Sequence, residues 1–147
     1  MRILVQSESF DVGAETAQFA QGHENVGALV TFTGIVRNND AGTLTEMQIE
    51  HYPGMTEKAL TTIATEAQTR WKLQDVLVIH RHGDLAPGEM IMMVATAARH
   101  RKAAFEAADF LMDYLKSRAP FWKREITSEG AEWVAAKDDD EEALKRW

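Results

Sequence analysis

The sequence predicts a single α+β domain with a mostly antiparallel sheet and about three helices. Three observations carry that reading. Short runs of apolar and β-branched residues alternate with stretches whose apolar positions recur at helical spacing. The chain has 147 residues, of which 45% are hydrophobic, enough to bury one core. No repeat or low-complexity linker divides it, so residues 1–147 read as one unit with 138–147 as an acidic tail.

Arg2–Gln6 opens the chain as a strand. Asp11 is a side-chain cap for a short helix ending near Gln21. Gly27–Arg37 is rich in β-formers (Val30, Thr31, Phe32, Thr33, Ile35, Val36) and reads as a strand. Asn38–Gly42 is a turn cluster. Leu44–His51 alternates, with Met47 and Ile49 on one face and Glu46, Gln48 and Glu50 on the other. These two strands are expected to form a hairpin. Thr56–Trp71 is a helix with Leu60, Ile63, Ala64, Ala67 and Trp71 on its apolar face. Asp75–Arg81 and Met90–Ala98 are apolar strands separated by the Pro87-Gly88 turn. Lys102–Arg118 is the longest helix, with Ala104, Ala108, Leu111 and Leu115 as its stripe, and Pro120 stops it. Phe121–Thr127 and Glu132–Ala136 read as short strands before the acidic run, which ends in Trp147.

Composition narrows the chemistry. Cysteine is absent, which excludes disulfides, thiolate metal sites and a cysteine nucleophile. The N-terminus lacks a signal-peptide pattern and no apolar run reaches membrane length, so a cytoplasmic protein is expected. The formal net charge of −7 makes a nucleic-acid partner a poor match. The charge is uneven, however. Residues 99–124 hold seven Lys/Arg against three acids, a local +4 on a remainder of −11. Such a patch suits a small anionic ligand.

Within that frame, several groups invite a functional reading. His80 and His82 lie two positions apart and could face one way, but a zinc site needs a third ligand, and neither His51 nor His100 supplies one at a diagnostic spacing. Histidines finishing a strand are the reading adopted, with no metal assigned. Gly34 inside a strand marks a bulge or a close backbone approach, since no Gly-rich phosphate loop precedes a helix. His100-Arg101-Lys102 opens a helix whose N-terminus disfavours cations; that conflict fits either an anion site or a solvated corner. Lys116 and Lys123 bracket Pro120 and an apolar turn. They are either solvated lysines or ammonium groups desolvated against an apolar wall and usable in proton transfer. Trp147 docks on this chain or on a partner.

Taken in order, Gly27 to Arg37, Glu50 to Met55, His80 to Leu85, Pro87-Gly88-Glu89, His100 to Phe105, Asp113 to Lys116, Pro120 to Glu125, Gly130 and Trp133 resemble the molybdopterin synthase large-subunit family. The resemblance covers nearly the whole chain. It implies a hammerhead-type α+β fold, a homodimer of large subunits, and one small ubiquitin-like sulfur-carrier subunit per large subunit, giving a heterotetramer. It further implies transfer of two sulfurs from the carrier's thiocarboxylated C-terminus to cyclic pyranopterin monophosphate, forming the dithiolene of molybdopterin. No resident cofactor is implied, and sulfur arriving on a partner fits the absence of cysteine.

By the same resemblance Lys116 and Lys123 are the catalytic lysines. Arg37, His100, Arg101, Arg124 and Glu125 are substrate contacts, with Ile35 and Val36 beside them. Ile35 stands where some members carry lysine, which leaves it a backbone role. Lys137 stands where some carry an arginine reaching the site, keeping charge without bidentate geometry. A non-catalytic module that docks an acidic peptide or a carrier tail is the alternative function. Arg101 and Lys116 lie fifteen positions apart on one expected helix, about 22 Å along its axis. Since the resemblance puts both at the substrate, the simplest resolution is that His100 and Arg101 come from the neighbouring large subunit.

Overall fold

The computed structural model describes residues 1–135 and 137–147. The chain runs β1 (Arg2–Gln6), α1 (Val12–Ala20), β2 (Ala28–Ile35), β3 (Leu44–His51), α2 (Met55–Trp71), β4 (Asp75–Arg81), β5 (Gly83–Leu85), β6 (Met90–Ala98), α3 (Arg101–Arg118), β7 (Phe121–Thr127), β8 (Gly130–Trp133) and α4 (Asp138–Ala143), then a 3-10 turn at Leu144–Arg146. The strand expected over Glu132–Ala136 lies earlier, at β8; Ala136 falls outside the described residues. The acidic tail is itself helical, because carboxylates stabilise a helix N-terminus.

Two four-stranded sheets form, in the orders β1-β4-β6-β2 and β5-β3-β7-β8. All pairings are antiparallel except β1 with β4. The hairpin expected between β2 and β3 does not form: β2 pairs with β6, while β3 pairs with β5 and β7 in the other sheet. The cause lies between them. A register shift at Gly34/Ile35 bends β2. Beyond it Val36 is clipped to the 86–89 turn, its N–H donating to Glu89 O at 2.8 Å and its carbonyl accepting from Gly88 N at 2.8 Å. Val36 is also 2% exposed, so the chain is carried across to the second sheet rather than folded back. A Cβ on Gly34 would lie 3.0 Å from Met92 Cγ, so a larger residue here would push that side chain aside.

β4 and β6 are central and covered on both faces, which explains their unbroken apolar runs. Val76, Val78 and Val94 meet Leu60, Ala64, Phe110 and Leu111 of α2 and α3. Leu77, Ile79, Met93 and Ala95 meet Phe19 of α1 on the opposite face. Asp11 caps α1 by accepting from Ala14 N at 2.9 Å. The Thr96 hydroxyl donates to Ala104 O at 2.8 Å, pinning the start of α3 against β6. From there α3 turns back along the sheet, towards the end where Ile35 pairs with Met90. Among the described residues, no helix is long and apolar enough to cross a membrane.

Candidate active site at the end of the long helix

The turn after α3 builds the site. Ala119 closes the helix in an extended conformation (φ −78°, ψ 131°) and Pro120 cannot continue it. The turn is then fixed from two sides. Pro120 O accepts from the Thr56 hydroxyl at 3.1 Å, and Thr56 Oγ1 in turn accepts from Tyr52 N–H at 2.9 Å. Phe121 stacks on His80 with ring centroids 3.7 Å apart and planes 16° from parallel. Lys116 on the last turn of α3 and Lys123 on β7 are thereby brought together. Lys123 is anchored in the ladder opposite Ile49, and its carbonyl accepts from Val134 N at 2.7 Å.

Lys123 is the perturbed member. Burial pushes its ammonium below the ordinary lysine pKa, and the neighbouring charges of Lys116 and Lys137 push further; Asp140 opposes them. Lys116 is half exposed, with Nζ 4.0 Å from Asp140 Oδ1. Asp140 thus acts on both Lys116 and Lys123 while Lys137 adds a third positive charge nearby, a balance that favours an additional anion at the same place. The solvated alternative weighed for Lys123 does not apply, because its side chain is largely withdrawn from water.

His80 lies behind this cluster. Burial, with help from Lys123, His82 and His51, lowers its pKa to about 3, against a raising hydrogen bond to Arg81 O. Its Nδ1–H donates that bond at 2.8 Å, so the ring is a neutral wall rather than a ligand. His51 and His82 stack on each other at 4.1 Å. Among the described residues, no group of three or more His, Asp or Glu side chains is placed to hold a metal.

The other expected site residues divide. Lys137 belongs to the lysine cluster. Glu125 shares the Lys123 face of β7 by strand alternation, whereas Arg124 points to the opposite face. There Arg124 bonds Gln48 Oε1 through Nε at 2.9 Å and lies 5.3 Å from the Trp133 ring centroid, so it is not with the lysines. Ile35 is exposed at the end of β2, but Val36 is a core residue whose side chain is unavailable to a ligand. Arg37 follows it, exposed, at the sheet end towards which α3 returns. His100 and Arg101 are exposed at the far end of the unbroken α3, about 22 Å of helix from Lys116. One chain therefore does not assemble all the expected residues.

Sequence reasoning missed Asp140, hidden in a run of acids that reads as solvated. It also missed the Thr56 and His80 contacts that set the turn. Only their chain-distant partners give these three residues a role.

The model of a known family, the MoaE protein, matches residues 5–118. The chain belongs to this family. The matched segment contains Arg37, His100, Arg101 and Lys116. Full-length MoaE relatives extend the similarity over the remaining site residues. The chain is 65% identical over 147 residues to the molybdopterin synthase catalytic subunit of Cereibacter sphaeroides, covering 100% of both chains. It is 53% identical to the protein of that name from Escherichia coli K12, covering 99% of this chain and 97% of the other. Among solved structures, the molybdopterin biosynthesis MoaE protein from Burkholderia ambifaria matches with TM-score 0.85 and 49% identity, over 99% of this chain and 97% of that one. Molybdopterin synthase from Staphylococcus aureus matches with TM-score 0.82 and 29% identity, over 90% and 96%.

Proposed function

We propose that this chain is the catalytic subunit of a molybdopterin synthase acting in molybdenum-cofactor biosynthesis. It transfers sulfur from the thiocarboxylated C-terminus of a small ubiquitin-like carrier subunit to cyclic pyranopterin monophosphate, forming the dithiolene. The observation that carries this reading is the partly buried Lys123 held beside Lys116 in a chain of this family. Proton transfers accompany both sulfur addition and opening of the cyclic phosphate. A lysine with a depressed pKa gives up its proton at lower pH than an ordinary lysine, which suits such steps. That favours Lys123 for proton uptake and leaves Lys116 to donate a proton or stabilise developing negative charge. Lys137 and Arg37 are assigned, in this reading, to attracting phosphate.

The phosphate-binding residues His100 and Arg101 come, in this reading, from a second copy of the chain. Two features support that arrangement. Straight-helix geometry separates them from Lys116. And β2 is an open edge strand whose exposed Phe32 lines a shallow apolar pocket together with exposed Phe105 on α3. Phe105 is one turn beyond Arg101, so a copy docked on this apolar face brings Arg101 to the interface.

Incubation with thiocarboxylated carrier and the pterin precursor tests the function. Dithiolene product that disappears with Lys123→Ala or Lys116→Ala supports it. Stable carrier binding without any product from the unaltered protein would replace it with the non-catalytic docking module.

A further inference from the structure

Five of the six residues of α4 are acids, a composition that is ordinarily solvated. Here the segment is tied down on both sides. The Arg118 guanidinium bonds both carboxylate oxygens of Glu141, at 2.6 and 3.2 Å. Beyond α4, Arg146 bonds Asp109 and Asp113, and Trp147 donates to Asp113 at 2.6 Å. The Trp147 ring packs edge-on against Trp71 and Phe110, 5.6 Å from each. These anchors leave α4 lying against the end of α3. Of its five acids, Asp140 alone is drawn out of open solvent, and it is the one that meets Lys116.

We propose that Asp140 is an internal counter-ion of the lysine cluster, occupying the position of an anionic group beside Lys116 and yielding it when an anionic ligand enters. The proposal rests on the assignment of Lys116 and Lys123 to the anion-handling site. Its geometry is that of an exchangeable partner. At 4.0 Å the pair is an ion pair without a direct hydrogen bond, so a better-placed oxyanion loses nothing to it in directional bonding. Asp140 also acts on Lys123, where it partly offsets the repulsion from the other lysines. With the ligand absent, it limits the self-repulsion of three ammonium groups. With the ligand present, it competes. A doubly charged phosphate wins that competition more readily than a singly charged anion, so the device discriminates by charge.

The test titrates inorganic phosphate into the full-length protein by calorimetry. Asp140→Asn should bind phosphate about fivefold to tenfold more tightly than the unaltered protein, the scale of a typical coupling between two ligands. Asp140→Glu keeps the charge and should stay within about twofold of the unaltered protein on that scale. Glu142→Gln makes the same change in net charge, but Glu142 pairs with Lys145, at 2.7 Å, rather than with the lysine cluster, so it should change affinity little. The gain from Asp140→Asn should largely vanish in a Lys116→Ala background. Unchanged or weaker binding by folded Asp140→Asn overturns the proposal. So does a gain matched by Glu142→Gln, or one kept in full without Lys116. In turnover assays Asp140→Asn should lower KM for the pterin precursor; an unchanged KM counts against it. If the unaltered protein shows no turnover, the assigned function fails while the phosphate titrations still decide the role of Asp140.

Discussion

Lys123 is out of most water and faces two other ammonium groups, so its protonated form opposes folding. Its folded pKa lies below the unfolded one. The penalty is therefore present in full below the folded value and is relieved as pH rises towards the unfolded value. Lys123→Met should raise Tm at neutral pH, with the advantage shrinking on the alkaline side, while turnover falls at least about a hundredfold. Thermal melts across pH, paired with product assays, check both halves; a lower Tm at neutral pH would contradict the burial argument. Because Lys116 contributes to the depression, Lys116→Ala should move the Lys123 titration to higher pH, read from its Nζ resonance. His80 obeys the same sign rule at another pH. Its folded value of about 3 lies below the ordinary 6.5, so stability is lost as pH falls from 6.5 towards 3. His80→Phe keeps an aromatic partner for Phe121 and should flatten Tm across that window. An unaltered slope would assign acid sensitivity to other groups.

At the scale of elements, α3 organises the molecule. Its apolar stripe packs on the first sheet, its start is pinned by Thr96, and its last turn presents Lys116. The same helix receives the C-terminus through Asp109, Asp113 and Phe110. Trp147→Ala removes the ring contacts and the bond to Asp113, and should cost about 1–3 kcal/mol in chemical denaturation. It should also release α4 and so weaken the Asp140–Lys116 pair. Faster amide exchange over 138–147 in this variant would report that release; unchanged exchange would show that Arg118–Glu141 suffices to hold the helix. The two sheets meet through α3 as well, since the Pro120 turn at its end starts β7. That turn is an element boundary and a wall of the candidate site at once.

At the scale of the whole molecule, the single chain leaves its expected site residues at two ends of α3. A shared site makes a sharp prediction for dimers built from one Lys116→Ala chain and one Arg101→Ala chain. Under two-fold symmetry one site receives both defects and the other receives neither, so activity should return to about half that of the unaltered dimer. Sites confined to one chain would leave such hybrids as inactive as either parent. Carrier binding should weaken as salt rises, because part of its attraction to the +4 segment is screened. An affinity flat in salt would remove the cationic channel from the picture.

The sequence by itself determined every strand and helix whose pattern is local. The bounds of β1, β3, β4, β6 and β7 follow from alternation or apolar runs, and the caps and stops at Asp11 and Pro120 are likewise local chemistry. The order of motifs along the chain also pointed to Lys116 and Lys123 as the residues to test. Tertiary structure alone decided the pairing. β2 and β3 part because Val36 is clipped to a turn fifty residues further on, an interaction that no pattern around residue 36 encodes. It likewise decided that Arg124 faces away from Lys123, that Trp147 docks on its own chain, and that Asp140 rather than another acid of its run meets Lys116. The physical reason is common to all of these. Periodicity and capping act within a few residues, whereas desolvation and charge pairing depend on whichever distant segments the packed core brings together.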